Sequence, residues 1–384
     1  MDATTKGRQK HWRDWCSFVG PLGVDPHLQD TPYQTRNRCL SGFGGLNRLG
    51  YYGRKQQVQA GTVSSALTAV GQTIALAHEV NPVKLRNSKE LVPRLSEMLA
   101  GFRKDDPATM KKLPVEVDIP ELMAAMGLEC NATELTKSVG DLALVAFYYL
   151  LRVGEYTVKR CKNQTKQTKQ FKLEDVQFFE KKRGRIRRLP RNASTKRIMA
   201  AVSATLKLDN SKNGWKGVCV HQEANGEEYS CGVRALGRRY CYIRSKSGSY
   251  KTFLSAYWVD DMRHDTNDED IRKNIKWAAG VLDYEGSRNI PPSRVDTHSL
   301  RSGGANALSL SGYSDREIMK MGRWRSATFM EYIREDLACF SEGMSKNMKR
   351  KFGFVNVAGG AYNDMVDITT TVCLQEYDPP AAAA

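Results

Sequence analysis

The stretch that most constrains the fold runs from Asp296 to Glu335 and reads DTHSLRSGGANALSLSGYSDREIMKMGRWRSATFMEYIRE. Thr297 is a suitable N-cap for a helix, and Gly312 is a suitable stop. Ser314, followed three residues later by Glu317, forms the capping-box pattern that opens a second helix. The stretch therefore predicts short helices separated by tight turns.

The second helix should end near Gly322, and Ser326 can cap a third. The first helix carries a His and an Arg three positions apart, which places them on one face. Tight turns between the helices would bring four functional side chains toward one pocket: His298, Arg301, Trp324 and Tyr332.

These side chains suit phosphodiester chemistry. A guanidinium binds a phosphate through two parallel, charge-assisted hydrogen bonds. A tyrosine hydroxyl becomes a covalent nucleophile when its surroundings activate it. Considered singly, Trp324 would be a core residue, Tyr332 an exposed aromatic and His298 a residue near a helix cap. Their ordered spacing favours a joint role.

The ordered set resembles the tyrosine recombinases, also called the phage-integrase family. The C-terminal signature of that family is His-x-x-Arg, then a His or Trp, then the nucleophilic Tyr. The matching segments here are HSLRSGGANAL, MGRW and YIR, with steps from 298 to 301, to 324 and to 332. Within the family they are most similar to recombinases of eukaryotic mobile elements, such as the crypton or DIRS groups.

The resemblance implies a mainly α fold with a small antiparallel β-sheet. A helical core-binding domain that clamps DNA would precede an α+β catalytic domain. The expected organisation is a core-binding domain over 1–105, a linker over 106–120, a catalytic domain over 121–352 and a tail over 353–384. The tail is expected to pack on a neighbouring subunit, and unchanged assembly after truncation at Lys351 would contradict this.

Hydrophobic periodicity predicts helices in the first 105 residues over 10–18, 33–49, 62–79 and 88–102. Further helices are predicted over 231–244 and after a capping box formed by Thr266 and Glu269. LEDVQFF, at 173–179, is predicted to be a strand, and 252–259 a short extended segment. These elements agree with a mixed, mainly helical chain.

An apolar helix is predicted from Leu135 to Arg152, ending in YYLLRVGEYT. By resemblance, Arg152 is the first phosphate clamp, and Glu155 supports either that arginine or the helix turn. Taken alone, Arg152 would be a surface arginine at a helix C-terminus, where the helix dipole favours a cation. The downstream signature favours catalysis.

A hairpin is predicted from strands over 198–208 and 217–222, because Asn213-Gly214 is a strong turn signal. In the family, a lysine on this hairpin protonates the leaving 5′ oxygen. Lys212 is the preferred residue by resemblance, and Lys207 and Lys216 remain alternatives.

The run KKRGRIRRLPR at 181–191 is a solvated face, a phosphate-binding surface or a nuclear-import signal, and the sequence does not separate these. The net charge of the chain is +17, which favours a polyanionic partner. The residues predicted to contact DNA are Lys181, Lys182, Arg183, Arg185, Arg187 and Arg188.

The composition excludes several other classes of protein. The longest apolar run, 142–151, has ten residues, which is too short to span a membrane. The first residues lack the apolar region of a secretory signal. The nine cysteines include no C-x-x-C pair, which indicates reduced thiols and no structural metal. We expect a nuclear protein in a eukaryote and a cytoplasmic one otherwise.

The resemblance implies a site-specific DNA recombinase that needs no cofactor, no metal and no small-molecule substrate. Its partners would be double-stranded DNA and three further copies of the chain, forming a tetramer on two DNA sites. Two alternatives remain open: a type IB topoisomerase-like enzyme, and a DNA-binding protein that no longer cleaves.

Overall fold

The computed structural model describes residues 3–53, 56–107, 112–158, 169–208 and 217–324. The helices in these ranges are α1 (Ala3–Val19), α2 (Tyr33–Arg48), α3 (Ala60–His78), α4 (Pro93–Asp105), α5 (Asp118–Leu128), α6 (Glu134–Tyr148), α7 (Val153–Tyr156), α8 (Thr195–Met199), α9 (Gly232–Lys246), α10 (Asp268–Val281), α11 (Tyr284–Arg288), α12 (Thr297–Leu310) and α13 (Asp315–Gly322). The strands are β1 (Val176–Lys182), β2 (Arg185–Arg188), β3 (Ser203–Lys207), β4 (Cys219–Glu223), β5 (Ala256–Val259) and β6 (Met262–Asp265). The prediction of a mainly α chain with a small antiparallel sheet is confirmed.

The first four helices enclose one hydrophobic core. In α3, apolar residues at helical spacing are buried, and the helix ends where Glu79 adopts a left-handed backbone conformation (φ 61°). The Trp15 and Phe43 rings meet edge to face with centroids 5.3 Å apart. Helices predicted over 10–18, 33–49 and 62–79 are confirmed, with boundaries that differ by one or two residues for the latter two.

The predicted start of α4 at Ser88 is wrong. The segment before the helix folds back on itself, since Leu85 N–H donates to Glu90 O (3.0 Å) and Val92 N–H donates to Val83 O (3.1 Å). Pro93 then takes the first helical position, where its missing N–H costs nothing. These pairings, rather than local helix propensity, delay the start.

A second core lies among α5, α6, α9, α10 and the four-stranded sheet, within the single compact unit that holds all described residues. The boundaries proposed for the two domains remain a prediction. The large side chains most fully buried in this second core include Tyr149, Tyr156, Phe171, Tyr240 and Tyr284.

The sheet has the order β2-β1-β3-β4, and all its pairings are antiparallel. Arg183 and Gly184 connect β1 and β2 with φ values of 49° and 75°, as a two-residue type I′ turn requires. The strand predicted over 198–208 is shorter, because 195–199 forms α8 behind the Ser194 N-cap. The predicted antiparallel pairing of the two hairpin strands is confirmed for β3 and β4; the connecting residues 209–216 lie outside the described part.

The predicted helix over 135–152 ends too late. The helix α6 stops at Tyr148, and Leu150 has a left-handed backbone conformation (φ 48°) that interrupts any helix. Tyr149, Leu150 and Leu151 are all buried, so the apolar pattern continues although the helix does not. Because the buried apolar residues continue past Tyr148, the sequence pattern does not show where the helix ends.

Two predicted N-caps are each off by one residue. Asp296, not Thr297, caps α12: its carboxylate accepts from Thr297 N–H at 2.6 Å. Asn267, not Thr266, caps α10, and its box partner is Asp270 rather than Glu269. In both cases a better side-chain acceptor stands beside the predicted cap. The capping box of Ser314 and Glu317 at the start of α13 is confirmed.

Two consecutive glycines let α12 approach its neighbours closely. A Cβ atom at Gly303 would lie 1.9 Å from the Val115 carbonyl oxygen, and one at Gly304 would lie 2.4 Å from the Phe147 carbonyl oxygen. A side chain at Gly303 would push α12 away from the segment before α5, and one at Gly304 would push it away from the end of α6. The two glycines of the Ser-Gly-Gly segment therefore have a role in helix packing, next to the functional residues His298 and Arg301.

We expect Gly303→Ala to lower the free energy of unfolding by about 1–3 kcal/mol, the usual cost of overpacking. The control is Gly280→Ala on the exposed face of α10, where a Cβ meets nothing within 4 Å. There alanine should not lower the stability, and should raise it by less than about 1 kcal/mol through its helix propensity, because Gly280 is the second-last residue of α10. Urea unfolding measures both, and equal effects of the two substitutions would contradict the packing account.

Candidate active site

The helix α12 presents His298 and Arg301 on one side. Its first turn is fixed by a reciprocal pair, in which Asp296 caps Thr297 and Asp296 N–H donates to Ser299 Oγ at 3.0 Å. The Asp296 carboxylate is also tied to α10, because Arg272 Nε donates to it at 3.0 Å. The start of the helix, where the two functional residues lie, is thus anchored to a neighbouring helix.

The Arg301 side chain links three parts of the chain. It is 1% exposed, and its two Nη groups donate to the carbonyl oxygens of Leu150 and Gly322. Its guanidinium carbon lies 4.2 Å from the centroid of the Trp324 ring, a cation–π contact. These contacts fix the orientation of a charged, planar group before any ligand is present.

Arg152 occupies a different position from the one predicted. It follows the end of α6 by four residues and takes the N-cap position of α7, so it is not at a helix C-terminus. Its side chain is 22% exposed, and Arg152 Nη1 donates to Glu155 Oε1 at 3.4 Å. Arg152 is thus the partly exposed arginine of the cluster, whereas Arg301 and Arg323 are buried.

Glu155 is a fully buried carboxylate next to the cluster. Its Oε2 accepts from the backbone N–H of Arg152 at 2.9 Å and from Arg323 Nη2 at 2.8 Å. A buried charge is tolerated only when it is paired and hydrogen-bonded, and Glu155 meets both conditions. The carboxylate connects α7 to the end of α13.

Sequence reasoning missed Arg323. The residue is 3% exposed, has a left-handed backbone (φ 57°) and is the C-cap of α13. Besides Glu155, its Nη2 contacts Leu150 O at 3.1 Å, the same carbonyl that accepts from Arg301. The sequence offered one indication, since Arg323 stands within MGRW directly before Trp324. Its burial could not be predicted from that segment, because burial depends on contacts with residues far away in the sequence.

His298 lies within electrostatic reach of the arginines. Burial lowers the pKa of its imidazole below the ordinary 6.5, and the positive charges of Arg301 and Arg152 lower it further, while Asp296 opposes the shift. The imidazole is therefore neutral at neutral pH. A neutral ring can accept a proton or donate a hydrogen bond.

The structure thus brings together His298, Arg301, Arg152, Glu155 and Trp324, and adds Arg323. Within this described cluster, three guanidiniums accompany the Glu155 carboxylate, and the imidazole is neutral. The positive excess makes the site suited to an oxyanion such as a phosphate.

The remaining sequence-predicted residues are placed elsewhere or lie outside the described ranges. Lys212, Lys216, Ser326 and Tyr332 are outside them, as is the tail over 353–384. Lys207 is exposed at the end of β3, opposite Cys219. The six predicted DNA-contacting residues are all exposed and form a basic hairpin with β1 and β2: Lys181, Lys182, Arg183, Arg185, Arg187 and Arg188.

Two other kinds of site are absent from the described ranges between residues 3 and 324. No group of three or more His, Cys, Asp or Glu side chains there is arranged to hold a metal ion. None of the helices in the same ranges has the length and apolar character needed to cross a bilayer.

No protein-family model and no curated protein matches this chain. Among solved structures, the Tn1549 transposon integrase in complex with transposon right end DNA is 11% identical, with a TM-score of 0.42, and the match covers 82% of this chain and 85% of that one. The same integrase with circular intermediate DNA is 13% identical (TM-score 0.42; 84% and 88% covered). XerA recombinase is 15% identical (TM-score 0.36; 92% and 94% covered). Each TM-score is below 0.5, so these likenesses assign no function to the chain.

The lowered pKa of His298 predicts a pH-dependent stability. Below pH 6.5 the unfolded chain binds a proton that the folded site resists, so stability should fall as the pH drops below that value. His298→Gln should reduce this loss. Thermal unfolding between pH 5 and 8 measures it, with His264→Gln, in the β5–β6 hairpin, as the control for losing an imidazole. An identical pH dependence in wild type and His298→Gln would contradict the assigned burial and charge environment.

Proposed function

We propose that this chain is a site-specific DNA recombinase that cuts and rejoins DNA through a 3′-phosphotyrosyl intermediate. The observation that carries the proposal is the convergence of Arg152, His298 and Arg301, from segments about 150 positions apart, next to Trp324. The chain reaches Tyr332 eight positions after that tryptophan.

In the proposed reaction, the Tyr332 hydroxyl oxygen attacks the scissile phosphorus. A phosphorus–oxygen bond to tyrosine forms while the bond to the 5′ oxygen breaks. The neutral His298 accepts the tyrosine proton or hydrogen-bonds the phosphate. Lys212 supplies the proton to the leaving 5′ oxygen, with Lys207 and Lys216 as alternatives.

Arg152 and Arg301 would stabilise the negative charge that grows on the phosphate oxygens in the transition state. Preorganisation supports this role, because the carbonyl hydrogen bonds and the Trp324 contact already fix the Arg301 guanidinium. Trp324 would also support the pocket through its indole N–H or by packing against the nucleophile.

The proposed chemistry requires no external energy source. The phosphotyrosyl bond conserves the energy of the broken DNA linkage, so the freed 5′ hydroxyl of a second duplex can attack it without ATP. The guanidiniums and the lysine supply the electrostatic stabilisation that metal ions supply in other nucleases.

The proposed partners are double-stranded DNA and three further copies of the chain. The basic hairpin supports DNA binding, since it carries six exposed cations in a chain with a net charge of +17. The proposed setting is integration or excision of a mobile element of the crypton or DIRS type. In a eukaryotic host this would take place in the nucleus.

We expect a covalent protein–DNA adduct that depends on Tyr332. Protein is mixed with supercoiled plasmid carrying candidate end sequences in EDTA, and the reaction is stopped with SDS. Wild type should form an adduct, and Tyr332→Phe, which lacks the nucleophilic oxygen, should form none. Tyr313→Phe, at an exposed tyrosine before α13, should behave as wild type.

An adduct that persists in Tyr332→Phe would overturn the assignment of the nucleophile. Relaxation of plasmid without pairing of two specific DNA sites would favour the topoisomerase-like alternative. DNA binding without any adduct, across a library of candidate ends, would favour the binding protein that no longer cleaves.

We expect the basic hairpin to set the salt dependence of DNA binding. Replacing Arg185 and Arg187 together by Gln should lower the slope of log K against log salt by about 0.9 for each lost phosphate contact. Arg263→Gln is the control, because that guanidinium is paired with Asp265 at 3.2 Å. Fluorescence anisotropy with duplex DNA measures the slopes. Equal slopes for the hairpin variant and wild type would show that the hairpin is a solvated face.

A further inference from the structure

Arg323 contacts two groups of the proposed site, the Glu155 carboxylate and the Leu150 carbonyl oxygen. Its Nη2 donates to Glu155 Oε2 at 2.8 Å and contacts Leu150 O at 3.1 Å, and the side chain is almost entirely buried. Burial lowers the pKa of this guanidinium most strongly, and the Arg152 charge adds to that, whereas Glu155 opposes it. Its placement therefore depends on the Glu155 carboxylate.

Within the described part of the chain, the Glu155 carboxylate has two cationic neighbours. Arg323 approaches it at 2.8 Å, whereas the Arg152 guanidinium approaches its other oxygen at only 3.4 Å. The Arg323 contact is the shorter, and both of its members are buried, so solvent screens it little. Without Arg323, only Arg152 of these two cations would remain beside Glu155. The buried Glu155 carboxylate would then bind the Arg152 guanidinium more tightly.

We propose that Arg323 is a positioning residue that occupies Glu155 and thereby keeps the Arg152 guanidinium available to an oxyanion. Arg323 does this without contacting the reacting atoms itself. The identification of that oxyanion as a DNA phosphate rests on the proposed function; the positioning of Arg152 does not.

Variants that remove the charge of Arg323, of Glu155 or of both distinguish a positioning role of Arg323 from a merely structural one. Arg323→Gln leaves the buried Glu155 carboxylate with Arg152 as its cationic partner, and Glu155→Gln leaves Arg323 as a buried charge that has lost its carboxylate. The double variant R323Q/E155Q leaves neither charge. The amide oxygen that the E155Q substitution introduces can still accept from Arg152 N–H, so the backbone of α7 keeps its cap.

The readout is the rate at which phenylglyoxal modifies Arg152 in the full chain without DNA, followed by peptide mass spectrometry. The exposed Arg185 of the basic hairpin is the internal reference. Arg323→Gln should slow Arg152 modification about tenfold, the factor that about 1.4 kcal/mol of added pairing gives. The double variant should regain the wild-type rate or exceed it.

An unchanged Arg152 rate in Arg323→Gln would overturn the proposal. If that variant does not fold by circular dichroism, Arg323→Lys decides, because a lysine is a point charge that cannot form the planar fork of contacts: a slower Arg152 rate than in wild type supports the proposal, and an unchanged rate overturns it. Adduct formation is measured on the same proteins. A wild type that forms no adduct would contradict the recombinase function, while the labelling still decides the role of Arg323.

Discussion

The carbonyl oxygen of Leu150 is the point on which the rest of the site depends. It accepts from both Arg301 and Arg323, so one backbone atom just beyond the end of α6 orients two buried guanidiniums. The left-handed conformation of Leu150 costs about 1–2 kcal/mol for a residue with a Cβ atom. Arginine hydrogen bonds offset that cost, because hydrogen bonds to charged groups contribute about 1.5–3 kcal/mol each.

The same arrangement concentrates positive charge where little water can reach it. Arg301 and Arg323 are nearly fully buried, and Glu155 is the carboxylate that pairs with Arg323. Desolvation makes such an excess costly, and an oxyanion that enters the site would relieve it. Burial is also the main cause of the lowered pKa of His298, and the charges of Arg301 and Arg152 lower that pKa further. The proposed anion binding and the neutral imidazole thus follow from one electrostatic environment.

Much of the local structure could be predicted from the sequence, and the errors have identifiable causes. The capping box of Ser314 and Glu317 was predictable because both partners lie within one helical turn. The caps at Thr266 and Thr297 were misassigned by one residue, since two good acceptors are adjacent in each case. The end of α6 was missed because an apolar run reports burial and not backbone conformation.

The sequence by itself determined the residue types of the site and their phase on α12, because helical periodicity is a local property. Only the tertiary structure decided which groups those side chains contact. Glu155 and Arg323 are 168 positions apart, and Leu150 and Arg301 are 151 apart. No local sequence pattern predicts such pairings, because they form only when α12 packs against the end of α6. That packing removes the charged groups from water, so they need hydrogen-bond partners within the protein.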